Sequence, residues 1–476
     1  MQTDFTYHVE AGFVVGPHPD RTGNGVSEAF LHTLHNEHIT CIIDLTSPLD
    51  GGTFPSEVLL RAIPELHIFS YPIPDLGVPS VPLMLAILEC IDTARADQKR
   101  IYLHCAAGIG RSGLVVACWL IRHGLSSTAA LVQLAALRGP LHHLAPAPET
   151  AGQHEFVHNW HEPDAHHATR IRTFRDRYRG ALLGLAVGDC LGMPLEFKQP
   201  GERIVTGMES GNPFDVPVGS WTDDTSMALC MADSIVTKGG FDPHDQVQRY
   251  IRWWKEGLWS STDRCFDIGI TVRGALRRYT TSETPYLGST DPHTAGNGSL
   301  MRLAPIPMAF GYDAALCEEY ARKSSATTHG APTTLDACAV YAYYMAKALV
   351  GTPRDVFLAA YTGTIHTHEI QAVAAGSFRT KQPPAIVGSG YVVQSTEAAL
   401  WAFAGNETYA TATLAAVNLA RDADTTGAIC GMLAGAYWGE SAIPAEWLAT
   451  LARRRDIEWI AEELLRQSWA NWERVI

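Results

Sequence analysis

Two rhythms of apolar and polar positions divide this chain. In the first third, short β-branched runs alternate with longer stretches of helical periodicity. Ile39-Thr-Cys-Ile-Ile-Asp44-Leu-Thr, Leu66-His-Ile-Phe-Ser-Tyr71 and Arg100-Ile-Tyr-Leu-His104 predict strands, while Val81 to Arg95 and Arg111 to His123 predict helices. That alternation predicts an α/β domain built on a central, mostly parallel sheet with helices. From Tyr178 onward the apolar positions recur at i, i+3 and i+4, with Ala181 to Val187, Met227 to Val236, Val247 to Trp254, Leu335 to Leu349, Ala398 to Phe403 and Ala428 to Tyr437 as the clearest cases. This predicts an all-α domain of about 300 residues. No period of roughly 20–50 residues repeats, so it is not a solenoid. Trp253, Trp254 and Trp259 read as core.

Between the two rhythms, His142, His143, His154, His158, His161, His166 and His167 gather among Pro and Ala, and Arg170, Arg172, Arg175, Arg177 and Arg179 follow. The shift in composition predicts a boundary. We place domains at 1–162 and 178–476, joined by a linker at 163–177. His154 and His158 stand one helical turn apart, but no nearby acid or Cys completes a ligand set, so they read as a solvated closing helix. The arginines read as a polar helix face.

At 476 residues the chain exceeds what one core organises, and an apolar content of 46% is ample for two. A net charge of −14 offers no general attraction for nucleic acid or anionic membranes. The longest apolar run, Leu114 to Ile121, falls far short of the ~20 residues a membrane span needs. The first residues, Met1 to His8, lack the basic and apolar regions of a secretory leader. Ten cysteines without a CxxC pair suit a reducing compartment, and a cytoplasmic location is expected.

The third predicted strand runs into His104-Cys105-Ala-Ala-Gly108-Ile-Gly110-Arg111-Ser112-Gly113. The spacing Cys-x5-Arg lets a tight loop, Ala106, Ala107, Gly108, Ile109 and Gly110, curl around a tetrahedral oxyanion. Its glycines permit backbone conformations that turn successive N–H groups inward. The helix that follows points the positive end of its dipole at the same place and favours the thiolate of Cys105. The planar fork of Arg111 can hold two phosphate oxygens, and Ser112 can hydrogen-bond the sulfur as it leaves. Asp75, on the Pro/Gly-punctuated stretch Tyr71 to Pro79, is positioned to protonate the departing oxygen from a lid. On these residues the region from Phe13 to Trp160 resembles the Cys-based tyrosine and dual-specificity phosphatases, in their compact form. The resemblance implies phosphomonoester hydrolysis through a cysteinyl-phosphate on Cys105, without a metal.

In the second half, oxygen donors concentrate in Trp221-Thr222-Asp223-Asp224-Thr225 and Asp422-Ala-Asp424-Thr425-Thr426, each just before an apolar run. Four acids with adjacent hydroxyls suit Mg²⁺, Mn²⁺ or Ca²⁺, although Asp and Thr at such places also cap helices. Gly180-x3-Gly184-x3-Gly188-Asp189-x2-Gly192 places small residues where helices approach closely, and Glu196 follows. Ala295-Gly-Asn297-Gly-Ser-Leu-Met301, Thr328-His329-Gly330 and Gly388-Ser-Gly390-Tyr391 are further loops. In this order the motifs closely resemble the ADP-ribosylglycohydrolases of the dinitrogenase-reductase-activating type, from Tyr178 to Trp447.

That resemblance implies an α-helical fold with two divalent cations, Mg²⁺ or Mn²⁺, held by Thr222, Asp223, Asp224, Asp422, Asp424 and Thr425. It implies Glu196 or Asp267 as acid/base, and diphosphate binding by Asn297, Gly298, Ser299, Leu300 and Met301. His329, Gly390 and Tyr391 would meet the sugars or adenine. After Asp267-Ile-Gly269 relatives often carry Asn, whereas Ile270 stands here. The expected protein is therefore a bifunctional hydrolase acting on phosphorylated and ADP-ribosylated proteins or small molecules. The alternative is a signalling adaptor in which one half only binds such targets.

Overall fold

The computed structural model of the chain describes residues 6–20, 26, 28–50, 55–282 and 284–476. The first five residues of the amino-terminal stretch read for a leader lie outside the described residues. Two compact units are present, Met1–Arg172 and Thr173–Ile476. The division falls within the helix Ala165–Gly192.

The first unit is organised by a five-stranded sheet of β1 (Tyr7–Glu10), β2 (Phe13–Pro17), β3 (Cys41–Asp44), β4 (His67–Ser70) and β5 (Ile101–Cys105), in the order β1-β2-β5-β3-β4. Only β1 is antiparallel to its neighbour; the other pairings are parallel, with Asp44 opposite His104 and Pro17 opposite Cys105. β3 and β5 are buried along their whole length, which is why their apolar residues, Cys41-Ile-Ile and Ile101-Tyr-Leu, are consecutive rather than alternating. The helices Val81–Ala96 and Gly110–Arg122 are those the periodicity predicts, to within a residue at each end. Ser80 caps the first by accepting from Leu83 N, 3.3 Å away. Parallel strands deliver their carboxyl ends to one edge of the sheet. The loops after β3 and β4 and the carboxyl end of β5 thereby carry Asp50, Asp75 and Cys105 together.

The second unit is helical, as the i, i+3, i+4 spacing predicts, and two helices determine where its chemistry sits. Gly180, Gly184 and Gly188 of the helix Ala165–Gly192 lie against Gly435, Gly431 and Gly427 of the helix Ala423–Trp438, running the opposite way. A Cβ on Gly188 would stand 2.1 Å from the Gly427 carbonyl oxygen, and one on Gly435 1.8 Å from that of Gly180. Backbone therefore touches backbone, and hydroxyls brace the pair: Tyr409 donates to Gly184 O at 2.8 Å and Tyr341 to Ile429 O at 2.6 Å. The approach fixes Asp189 on one helix relative to Asp422 and Asp424 at the start of the other. Gly188→Ala gains about 1 kcal/mol of helix propensity, but the overpacking against a carbonyl costs about 3 kcal/mol. Chemical unfolding of this unit should show a net loss near 2 kcal/mol by that difference. No loss would mean the helices can part without cost.

Trp253 is buried, as expected of core, but Trp254 and Trp259 are only partly so. Trp254 carries Lys255 Nζ 3.7 Å above its ring, and Trp259 Nε1 donates to Asp233 at 2.9 Å. Arg179, read as part of a polar face, instead turns inward to Glu458 and Glu462 at 3.0 and 3.2 Å. No helix among the described residues is long and apolar enough to cross a membrane. All ten cysteines are free.

Candidate active sites

In the first unit, Cys105 ends β5 and is buried, and Ala106 to Ile109 turn directly into the helix at Gly110. Gly108 has a φ of +72°, and a Cβ there would lie 2.6 Å from the Gly16 carbonyl, so this bend demands glycine. Arg138 Nη1 supports it by donating to Gly108 O at 3.2 Å. Among the described residues none of the N–H groups of Ala107, Gly108, Ile109 and Gly110 donates to a backbone carbonyl. They remain available to an anion.

Arg111 is almost wholly buried, yet its Nη2 lies 2.9 Å from Asp75 Oδ1, which is 63% exposed. Its Nη1 donates to Ile73 O at 3.0 Å and to Asp50 Oδ2. Burial opposes the guanidinium charge, but Cys105, Asp50 and Asp75 outweigh it and raise the Arg111 pKa. Ser112 is buried, with an Oγ that has no hydrogen-bond partner. Five residues expected to work together, Asp75, Cys105, Gly108, Arg111 and Ser112, thus converge on one loop. Asp50 was not foreseen: Ser47 N and Oγ hold its carboxylate at 3.1 and 2.9 Å, aiming it at Arg111.

In the second unit, a cleft of about 240 Å³ is lined by Glu196, Asp223, Asp267, Asn297, Gly298, Met301, His329, Asp422, Asp424 and Thr425, together with Phe197, Ile270 and their neighbours. Thr222 and Asp422 occupy the N-cap positions of their helices, yet neither side chain makes a capping hydrogen bond. Thr222 Oγ1 faces Asp189 and Asp224 at 3.0 and 2.9 Å, and Asp422 accepts from Asn297 Nδ2 at 2.6 Å. The side chains turn toward one another rather than toward the helix ends. Carboxylate oxygens of Asp189, Asp224 and Asp424 lie within 4.8 Å of one another, and so do those of Glu196, Asp422 and Asp424. Asp224 Oδ1 is buried without a hydrogen-bond partner. Two triads sharing one acid, with an orphaned carboxylate oxygen, fit hard divalent cations.

The sequence alone assigns no role to Asp189. Its carboxylate collects the backbone N–H and hydroxyl of both Thr222 and Thr225, at 2.7–3.2 Å. Thr222 and Asp224 lie beneath the cleft wall rather than on it. Ser299 and Leu300 also point away: Ser299 Oγ pairs with Ser325 Oγ at 2.8 Å, and Leu300 is fully buried. Gly390 touches the site through its carbonyl, which accepts from Asn297 N at 3.0 Å, and Tyr391 is 39% exposed outside the lining. Phe197 N donates to Arg421 O at 2.7 Å and Arg421 N to Lys198 O at 2.9 Å, pinning Glu196 beside Asp422. Phe197, Ala420, Arg421 and Asp267 all have φ between 52° and 65°, backbone strain of the kind found at functional sites. Ile270 is 91% exposed at the mouth.

Burial raises every carboxyl group here. It lifts Asp189 to about 6, and burial with the charges of Asp189 and Asp422 does the same to Asp267. Burial and then Asp424 push Glu196 far up; burial raises Asp223, Asp224 and Asp424 too, with the charge of Asp267 the next to raise Asp223 and Asp424 and that of Asp189 the next to raise Asp224. Seven acids cannot all ionise here without a compensating charge. A raised folded-state pKa means the folded chain holds protons that the unfolded chain has lost, so metal-free stability falls as pH rises from about 4 to about 6 through Asp189 and Asp267. The stabilisation gained on adding Mg²⁺ or Mn²⁺ to the chelated chain should therefore grow across that window, read by thermal unfolding. A gain independent of pH would show that these acids do not meet the ion.

The first unit offers a cysteine poised over an anion cradle, the second an acid-walled cleft fit for cations, and both are arrangements of hydrolases. The chain belongs to the ADP-ribosylglycohydrolase family, whose profile matches residues 170–474. Residues 17–125 match a second profile, described as "Polymorphic toxin system, DSP-PTPase phosphatase". The chain is 39% identical over 289 residues to the ADP-ribosylarginine hydrolase Tri1 of Pseudomonas putida, covering 61% of this chain and 78% of that one. It is 33% identical over 285 residues to the ADP-ribosyl-[dinitrogen reductase] glycohydrolase of Rhodospirillum rubrum, covering 58% and 90%. A solved structure titled "ADP-ribosylglycohydrolase-related protein complex" is 42% identical, with a TM-score of 0.56, covering 62% of this chain and 99% of that one.

Proposed function

We propose that the chain is a bifunctional hydrolase of the cytoplasm, removing phosphate at Cys105 and ADP-ribose at the cleft around Asp424. The observation that carries the second activity is that Thr222 and Asp422 stand at helix caps without capping, their side chains turned to a shared acidic centre. The adaptor alternative has no support in either site, since no expected catalytic side chain is missing.

In the first reaction, N–H groups of the loop and the Arg111 fork hold the three non-bridging oxygens of a phosphomonoester. The Cys105 thiolate attacks phosphorus, the ester P–O bond breaks, and Asp75 gives its proton to the departing alkoxide oxygen. Water then attacks the thiophosphate and gives its proton to Asp75. The S–P bond electrons return to sulfur, where Ser112 donates a hydrogen bond. Asp50 holds Arg111 at the correct angle throughout.

For the second reaction, Asp223, Asp224, Asp422, Asp424, Thr222 and Thr425 would hold two divalent cations, with Asp189 locking the two threonines and Glu196 closing the second triad. Mg²⁺ or Mn²⁺ bound there would supply the charge that polarises water and orients ribose hydroxyls. Asn297 fixes the Asp422 carboxylate. Asp267, at the cleft wall with its pKa raised to about 6, exchanges a proton with the leaving group or the attacking water as the glycosidic bond breaks. Glu196, more deeply placed, orients that water.

The test offers the purified chain phosphotyrosine and phosphoserine peptides, and ADP-ribose linked to arginine, serine or phosphate, with and without Mg²⁺. Two relatives are named as ADP-ribosylarginine hydrolases, so the arginine linkage comes first. Phosphate release independent of metal, with ADP-ribose release dependent on it, is expected. Failure of all three ADP-ribosyl linkages would overturn the second activity.

A further inference from the structure

Beneath the loop Asn297 to Met301 lies a fully buried arginine, Arg302, stacked 4.7 Å from the Tyr250 ring. Its Nη1 donates to Gly298 O at 2.8 Å, and its Nη2 donates to Thr328 Oγ1 at 2.8 Å and Thr327 Oγ1 at 3.3 Å. Thr328 Oγ1 is in turn 2.9 Å from His329 Nδ1. The direction of each bond in this relay follows from chemistry. A guanidinium has only donors, so Thr328 Oγ1 accepts from it. One hydroxyl proton remains, and Thr328 is wholly buried, so leaving that proton unbonded carries a desolvation penalty. Among the described residues His329 Nδ1 is the acceptor within reach. Nδ1 therefore accepts, and the neutral ring carries its proton on Nε2.

The ring is held in place as well as in tautomer. His329 N donates to Ser325 O at 2.7 Å, and Ser325 Oγ donates to His329 O at 2.9 Å. Its Nε2 edge lies against the glycines of the cleft, where a Cβ on Gly296 or Gly298 would stand 3.4 or 3.3 Å from Nε2. Burial, with the nearby charge of Arg302, lowers the His329 pKa to about 3, which agrees with an uncharged ring.

We infer that Arg302 and Thr328 are positioning residues that set His329 as its Nε2–H tautomer, so that the cleft presents a neutral imidazole donor to a ligand oxygen. In ADP-ribose that oxygen belongs to the diphosphate or a ribose, and this identity rests on the function proposed above. A protonated histidine would attract the same oxygen more strongly but would bring a second buried charge beside Arg302. The relay yields a donor without that charge.

The test uses the full chain labelled with [¹⁵N]histidine, with the His329 signals identified by their loss in His329→Gln. Long-range ¹H–¹⁵N correlation is expected to show a pyridine-type Nδ1 and a pyrrole-type Nε2. Thr328→Val keeps the shape and removes the hydroxyl. It should bring Nδ1-protonated ring into the spectrum and raise KM for an ADP-ribosylated substrate by about 10- to 100-fold, with kcat changed by less than about threefold. Thr328→Ser should restore both readouts. A wild-type ring protonated at Nδ1, or a Thr328→Val spectrum identical to wild type, overturns the relay. The spectrum does not depend on turnover: a wild-type Nε2–H ring in a chain that releases no ADP-ribose supports the relay and overturns the substrate instead.

Discussion

Asp424→Asn is expected to lower ADP-ribose release by about 10³-fold or more while leaving phosphate release untouched. Asp424 is the one acid common to both carboxylate triads, so a single amide removes charge from two cation positions at once. An amide also brings two N–H donors among carboxylate oxygens, those of Glu196 and Asp422 in one triad and of Asp189 and Asp224 in the other. Metal content, measured on the desalted protein, should fall in parallel, and chelation of the wild type should reproduce the loss. By contrast Asp189→Asn, which touches one triad only and disturbs the two threonines that Asp189 holds, should cost about 10- to 100-fold. If Asp424→Asn and the chelated wild type both release ADP-ribose at full rate, the cluster is a set of structural acids and the proposed centre does not exist.

Cys105→Ser should lower phosphate release on the order of 10⁴-fold or more, with ADP-ribose release unchanged. A serine hydroxyl is a far weaker nucleophile than a cysteine sulfur, and the cradle that orients phosphate cannot replace the nucleophile. The anion site itself survives the change, because the N–H groups of Ala107 to Gly110 and the guanidinium of Arg111 are intact. The variant is therefore expected to retain phosphopeptide binding. Turnover within tenfold of wild type would exclude the cysteinyl-phosphate route. Asp50→Asn, acting through Arg111, should show a smaller loss concentrated in KM, since its carboxylate touches the guanidinium rather than the phosphate.

What the sequence discloses here depends on how local each feature is. β3 and β5 are legible because sheet-centre strands carry consecutive apolar residues, and the edge strand β4 is legible through its Ile68-Phe69 pair. β1 and β2 are not, because Tyr7-His-Val-Glu10 mixes polar and apolar positions and β2 ends in Gly16-Pro17, which reads as a turn. The phosphatase cradle is legible because its residues are contiguous. Asp50 is hidden because its partner Arg111 lies 61 positions away and only the parallel sheet brings them together. Likewise the acid doublets at 223–224 and 422–424 announce themselves, whereas Asp189 reaches Thr222 across 33 positions. Contiguity can also mislead. In Asn297 to Met301 a tight turn, with Leu300 N and Met301 N both bonding Asn297 O, sends Ser299 and Leu300 inward and leaves Asn297, Gly298 and Met301 to the cleft. The indoles of Trp254 and Trp259 read as core because apolar area dominates their signal, while a cation and a carboxylate keep them near the surface.

The backbone-to-backbone contact of Gly180, Gly184 and Gly188 with Gly435, Gly431 and Gly427 governs how the cleft can exchange its contents. Side chains in an ordinary helix interface can change rotamer and let the helices breathe. Glycines have no rotamers, so this pair opens only when both helices separate along their length. Amide hydrogens between Ala181 and Leu191, and between Thr425 and Leu433, should accordingly be among the last in the chain to exchange with deuterated water. Asp189 lies within the first of those slow segments and Asp424 immediately before the second. Ions and ligands must then enter and leave by the cleft mouth, past Phe197 and Ile270, with the helices closed.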